Sequence, residues 1–186
     1  PLNYYPAIAE AFYQETPLIV ISADRPVEWV DQGDGQTIRQ ERVFDQMVLK
    51  SAQMNEIHSE NQRWHFERKL SEVLQAAIGV RKGPVHLNVP FSEPLYETTE
   101  DIHILKNWVE LAETETVLTK NSKNKLETLW NSSEKRLVIV GQQQKNPDLQ
   151  EVLEKLALDG STAVLVEHTS NTFSPYFISN IDRTLN

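Results

Sequence analysis

Residues 59–90 read SENQRWHFERKLSEVLQAAIGVRKGPVHLNVP. Ser59 and Gln62 stand at capping-box spacing, so each side chain can satisfy a backbone N–H left orphaned at a helix start. Phe66, Leu70, Val73, Leu74, Ala77 and Ile78 then recur at i, i+4, i+7, i+8, i+11 and i+12. That spacing predicts one apolar helical stripe facing a sheet. Gly79 or Gly83 ends the helix, and residues 85–89 form a strand closed by Pro90. A further strand is predicted at 49–54, ahead of the helix. Strand, helix and strand in this order imply a right-handed parallel βαβ unit.

Working outward, residues 4–14 carry apolar side chains near helical spacing, with Pro6 tolerable in a first turn. Pro17 stops that helix. Residues 18–22, LIVIS, read as a short strand buried on both faces of a parallel sheet. Residues 23–36 are loop-like, with Asp24, Pro26, Gly33 and Gly35, and a short helical stretch is expected over 42–48. After Phe91 the composition shifts, and no strong period runs through 97–120, which is therefore read as a linker. A second βαβ pattern follows: helix 125–130, strand 136–141, amphipathic helix 147–158 and strand 163–166. The fold class is α/β, with the end of one domain and the start of another. Both ends of the chain read as cuts through a longer protein.

Composition narrows the function classes. Hydrophobic residues make up 39% and charged residues 24% of the 186, which is globular rather than disordered composition. The formal charge is −9, from 27 acidic against 18 basic residues, and no basic cluster overrides it, so nucleic acid is not an expected partner. There are no cysteines, which removes thiolate nucleophiles and Cys-based metal sites and fits a reducing cytoplasm. The apolar runs at 18–21, 137–140 and 163–166 fall far short of the roughly 20 residues of a membrane span.

Several groups invite a chemical reading. Gly33-Asp34-Gly35 has the look of a thiamine-enzyme metal triplet, but it follows a polar loop and lacks a downstream Asn-Asn, so it reads as a sharp turn. Gly141-Gln142-Gln143-Gln144 follows a strand without G-x-G-x-x-G and also reads as a turn. The five histidines (His58, His65, His86, His103, His168) show no ligand spacing and receive no role; no residue is assigned to a metal. The informative stretch is Ser22-Ala23-Asp24-Arg25-Pro26, continuing to Gln36-Thr37-Ile38-Arg39-Gln40. It leaves the carboxyl end of a strand, where ligands of open α/β sheets bind. An Arg there can grip a carboxylate bidentately, and a Gln amide can donate and accept. Equally, Asp24 could cap a turn with Arg25 as its surface partner. The residue types leave both readings open.

Leu2-Asn3-Tyr4-Tyr5-Pro6-Ala7, Ala23-Asp24-Arg25-Pro26, Gln36-Thr37-Ile38-Arg39-Gln40 and the block from Gly83 to Tyr96, GPVHLNVPFSEPLY, together resemble the 2-succinyl-5-enolpyruvyl-6-hydroxy-3-cyclohexene-1-carboxylate synthase family (MenD), thiamine diphosphate enzymes of menaquinone biosynthesis. The ordered resemblance covers about the first 96 residues; beyond 120 it is architectural. It implies a parallel-sheet thiamine diphosphate-binding fold. Residues 1–96 would be the latter part of a pyrimidine-binding domain, 97–120 a linker, and 121–186 the start of a Rossmann-like central domain. It further implies a cytoplasmic transferase that decarboxylates 2-oxoglutarate and adds the succinyl unit to isochorismate, using thiamine diphosphate and Mg²⁺. The full-length enzyme would be a homodimer or homotetramer. By resemblance, Arg25 would help hold a substrate carboxylate, and Gln36 would contact isochorismate or the cofactor-bound intermediate. Gly35 departs from the Asn expected just before that Gln. The cofactor-activating Glu would lie upstream of Pro1 and the diphosphate and Mg²⁺ domain downstream of Asn186, so no catalytic residue is expected within the chain and none of its own activity. Another thiamine diphosphate-dependent 2-oxoacid enzyme (acetohydroxyacid synthase-like or a decarboxylase) and a non-catalytic α/β binding module are the alternatives.

Overall fold

The computed structural model describes residues 1–92, 96, 98, 100, 104–110, 112 and 114–180. Glu93, Pro94 and Leu95 of the resemblance block, and His103, lie outside the described residues. The architecture is α/β with parallel strands in open sheets, and the chain divides into two compact units, Pro1–Glu113 and Thr114–Asn186.

In the first unit, α1 (Tyr5–Tyr13) leads to β1 (Leu18–Asp24), then β2 (Lys50–Gln53), α2 (Glu60–Ile78) and β3 (Pro84–Pro90). The sheet order is β1-β3-β2, all parallel. Ser59 caps α2 by accepting from Gln62 N, while Gln62 Oε1 accepts from His58 N. That reciprocal cap stabilises the helix start by about 1 kcal/mol. The α2 stripe then meets the sheet: Val73 and Ala77 are buried with Met54, Val85 and Leu87, and Phe66 and Leu70 pack around them. Burial of each large apolar side chain stabilises by roughly 1.5–3 kcal/mol. Ile78, expected in the stripe, is exposed at the end of the helix. The opposite face of the sheet is covered by Ile8 of α1 together with Phe44 and Val48, packed on Val20.

Two expectations are corrected. Strand β1 is not buried on both faces: Val20 and Ser22 face inward, but Ile19 and Ile21 are 48% and 63% exposed. The reason is position. Among the described residues β1 has a strand on one side only and α2 packs over β2 and β3, so the strand buried almost throughout is β3, which has a neighbour on each side. The stretch 42–48 is also not a helix. It is a run of i→i+3 turns, with a single 3₁₀ turn at Asp45–Met47. Arg42 takes φ +60°, in the left-handed region that an α-helix cannot propagate through.

Past β3, the described residues 104–110 are irregular but tied to α2. The Glu67 carboxylate accepts from Lys106 N, Asn107 N and Asn107 Nδ2, and Ser71 Oγ from Val109 N. Burial opposes ionisation of Glu67, but those donors and Arg63 outweigh it and hold the group below the usual carboxylate range.

The second unit contains α3 (Lys120–Ser132), β4 (Arg136–Val140), α4 (Pro147–Leu158) and β5 (Thr162–Val166). Strands β4 and β5 pair in parallel, from Arg136↔Thr162 to Val140↔Val166. Asn146 caps α4 by accepting from Leu149 N, and Pro147 fits the first turn because its missing N–H would have had no helical partner. Helix α4 buries Leu153 against Val140, Val164, Val166 and Phe177.

Candidate functional site at the carboxyl end of the first sheet

Strand pairing sets up the site. Ser22 of β1, Asn88 of β3 and Gln53 of β2 are in register, and so form one polar row across the carboxyl end of the sheet. His86 stands two residues before Asn88, so it shares that face. Ser22, His86 and Asn88 are 5%, 0% and 1% exposed. Buried polar groups of this kind are stable only when paired.

Asn88 is fully paired. Its Oδ1 accepts from Ser22 Oγ at 3.0 Å and from Gln40 Nε2 at 2.7 Å; its Nδ2 donates to Asp24 Oδ2 and Gln53 Oε1, both at 2.7 Å. A primary amide has two donors and two acceptor positions, and here all four are used. Because Nδ2 faces a carboxylate, the amide has one orientation. The chain of donors then fixes the histidine. Ser22 gives its only proton to Asn88, so the 2.7 Å contact between Ser22 Oγ and His86 Nε2 must carry the imidazole's proton. His86 is thus the Nε2–H tautomer, with Nδ1 a buried acceptor that has no partner among the described residues. Its ring packs edge-on against Phe44, centroids 4.8 Å apart. Burial pushes the His86 imidazole below its ordinary pKa, against the pull of Asp45 and Asp24, so it is neutral.

Above this row lies the loop 25–39. Asp24 Oδ1 accepts from Arg25 N, which is the turn-capping contact that the sequence allowed. The Arg25 side chain turns instead to Asp34, Nε to Oδ2 3.1 Å, and Thr37 Oγ1 donates to the same carboxylate oxygen. Gly33 takes φ +78°, so Gly33-Asp34-Gly35 does turn sharply, and the turn presents Asp34 to Arg25. Gln36 is exposed, and its φ of +62° costs a non-glycine residue on the order of 1 kcal/mol. Arg25 and Asp34, with Pro26, Glu28, Trp29 and Ser92, line a cavity of about 380 Å³ beyond the end of β1. Gln36 does not line it. Among the described residues no cluster of three His, Asp or Glu side chains is placed to hold a metal ion.

Sequence reasoning singled out Arg25 and Gln36, placed Ser22 and Gln40 in the same stretch without giving them a role, assigned none to His86 and passed over Asn88. The signal was available: His86 and Asn88 alternate with Val85, Leu87 and Val89 in a strand otherwise apolar. In the second unit, the turn after β4 is stitched to the loop after β5. Gln143 N donates to Thr169 O, Gln143 Nε2 to Thr172 Oγ1, and Asn171 Nδ2 to Gln143 O.

Comparison with known proteins fits the parts of the chain that carry this geometry. No family model matches the chain. Among curated relatives, the 2-succinyl-5-enolpyruvyl-6-hydroxy-3-cyclohexene-1-carboxylate synthase of Christiangramia forsetii is 45% identical over 97% of this chain and 34% of its own length. The proteins of the same name from Flavobacterium johnsoniae and Porphyromonas gingivalis are 43% and 33% identical, over 97% and 99% of this chain. The chain spans about a third of the length of these relatives. With identity of this level over nearly every residue, the chain belongs to the 2-succinyl-5-enolpyruvyl-6-hydroxy-3-cyclohexene-1-carboxylate synthase family.

Proposed function

We propose that this chain supplies one wall of the active site of a thiamine diphosphate-dependent carboligase. The full-length enzyme decarboxylates 2-oxoglutarate and adds the succinyl unit to isochorismate in menaquinone biosynthesis. It is a cytoplasmic transferase, and its site is completed by other domains of a homodimer or homotetramer. Residues 1–96 belong to its pyrimidine-binding domain, 97–120 to a linker and 121–186 to the start of its Rossmann-like central domain. The chain alone is inactive. When bound, the cofactor supplies the electron sink for decarboxylation; the protein supplies orientation and charge.

The observation that carries this reading is Arg25 on the wall of a cavity beyond a parallel strand, in a chain whose relatives named above share one enzyme name. Both substrates are carboxylates, and a guanidinium pairs with a carboxylate through two parallel N–H bonds. Arg25 already meets Asp34, so a substrate carboxylate has to share or displace that contact. Gln36 is the second binding residue, toward cofactor and substrate. Its left-handed backbone supports the role, because strained backbone collects at functional sites.

The test is loss of isochorismate by the full-length enzyme supplied with thiamine diphosphate, Mg²⁺ and 2-oxoglutarate. Consumption dependent on both 2-oxoglutarate and cofactor is expected. Arg25→Ala should raise KM for isochorismate roughly 10- to 100-fold, the loss of a charge-assisted bond, with cofactor affinity unchanged. Equal loss of both, or of neither, overturns the role of Arg25.

A further inference from the structure

Both stems of the loop that bears Arg25 and Gln36 end on one side chain. Asp24 stands immediately before residues 25–39 and Gln40 immediately after them. Asp24 Oδ2 takes a proton of Asn88 Nδ2 at 2.7 Å, and Gln40 Nε2 gives one to Asn88 Oδ1 at 2.7 Å. Gln40 Nε2 also donates to Ala23 O at 2.7 Å, so the two stems touch. Asn88 itself sits on β3, the central strand, held on either side by Ser22 and Gln53. A compact loop with closed stems moves as a unit on its attachment.

We propose that Asn88 is a positioning residue for substrate recognition: it clamps the start and end of the loop 25–39 to the sheet, and so sets where Arg25 stands. The proposal rests on the reading of Arg25 as the substrate-carboxylate group. Asn88 acts through Asp24 and Gln40; it does not touch substrate. An Asn at a buried strand position has no packing advantage over Leu or Val, and it is tolerated here because every polar position is filled.

The clamp can be broken and remade without changing shape. Asn88→Asp keeps the acceptor for Ser22 and Gln40 but loses the donor and sets two carboxylates together. Adding Asp24→Asn restores the bond with its direction reversed: the new amide accepts from Arg25 N through Oδ1 and donates to the new carboxylate through Nδ2. Gln53, by turning its amide over, donates to the same oxygen.

In the full-length enzyme, Asn88→Asp should raise KM for isochorismate about tenfold, the effect of losing one buried hydrogen bond at the clamp, while kcat at saturation and thiamine diphosphate affinity stay put. Hydrogen exchange in the peptide covering 25–39 should speed up. The double variant should recover both. Unchanged exchange in Asn88→Asp overturns the clamp. A fall in kcat and melting temperature with KM unchanged makes Asn88 merely structural and also overturns it. If Arg25→Ala raises KM and Asn88→Asp does not, the positioning role fails while the Arg25 reading survives. If Arg25→Ala has no effect, it is the underlying reading that fails, and exchange alone then decides the clamp. Should Asn88→Asp not accumulate, Gln40→Met frees only the far stem and carries the same expectation; wild-type exchange and KM there overturn the proposal.

Discussion

Toward the carboxyl end of β1 and β3 one face buries the polar side chains Ser22, His86 and Asn88, with Pro90 after them; at the carboxyl end of β4 and β5 the last buried side chains are Val140 and Val166. Both places lie where open parallel sheets bind ligands. In the second unit the strand ends are finished as core and the side-chain hydrogen bonds of Gln143 and Asn171 run between the two loops above, while the segment after β5 meets the strands through backbone bonds of Ile178 and Glu167. In the first, the loop bonds into the sheet itself. The difference therefore lies in the side chains: buried polar groups of the strands hold the loop in the first unit, and apolar groups close the strand ends in the second. The first arrangement costs desolvation of buried polar atoms, and what it returns is a fixed geometry.

The sharpest way to break this comparison is to hollow out each unit in turn. Phe44 is fully buried between Tyr5 and His86 in the first, and Leu153 is buried in the second. Phe44→Ala should cost roughly 3–5 kcal/mol and Leu153→Ala roughly 2–5 kcal/mol of local stability. Hydrogen exchange in the full-length enzyme reads both. Only Phe44→Ala should also raise KM for isochorismate, since only there does the core carry the loop. A similar KM change in both variants would erase the distinction between the two strand ends.

Acid should separate the units next. The folded pKa of His86 is depressed by burial, whereas the unfolded histidine titrates near its ordinary value of 6.5. The unfolded state therefore binds more protons as pH falls below about 6.5, and the stability that neutral His86 permits is lost as pH falls further through its folded value. Amides of β1 and β3 should lose exchange protection between pH 7 and 5 before those of β4 and β5. His86→Gln should flatten that difference; if it persists, the sensitivity belongs to other groups.

The smallest effect concerns Asp34. It is partly exposed, and its pair with Arg25 is worth at most about 1 kcal/mol. Asp34→Asn should lower KM for isochorismate by no more than about fivefold, most visibly at low salt, because a competitor for Arg25 is gone. A rise in KM would mean that Asp34 orients Arg25 rather than competing for it.

Much of the scaffold was legible from residue spacing. The Ser59 cap, the Val73–Ala77 face of α2, the β3 strand and the 147–158 span of α4 each follow from patterns within a few residues. What escaped depends on neighbours distant in sequence. Nothing in LIVIS says that β1 is an edge, because strand order is a property of the assembled sheet. Nothing near Asn88 names Gln40 or Asp24 as its partners, 48 and 64 positions away. The family resemblance led to Arg25, which lines the cavity beyond β1, and to Gln36, which does not, but not to the buried polar side chains beneath the loop.

Strand β1 also has a bearing on how the protein assembles. Residues 18–21 are four consecutive uncharged apolar side chains, two of them branched outward onto open surface, with no strand on their free side among the described residues. Such an edge offers unpaired N–H and C=O groups to any second chain that arrives in extended form. Pro17 lacks the donor at one end, and the charged Asp24 and Arg25 sit at the other, so the sticky segment is confined to about six residues, roughly 20 Å. Refolding of this chain by itself is therefore a race between shielding that edge and meeting another copy of it, and the outcome is set by protein concentration.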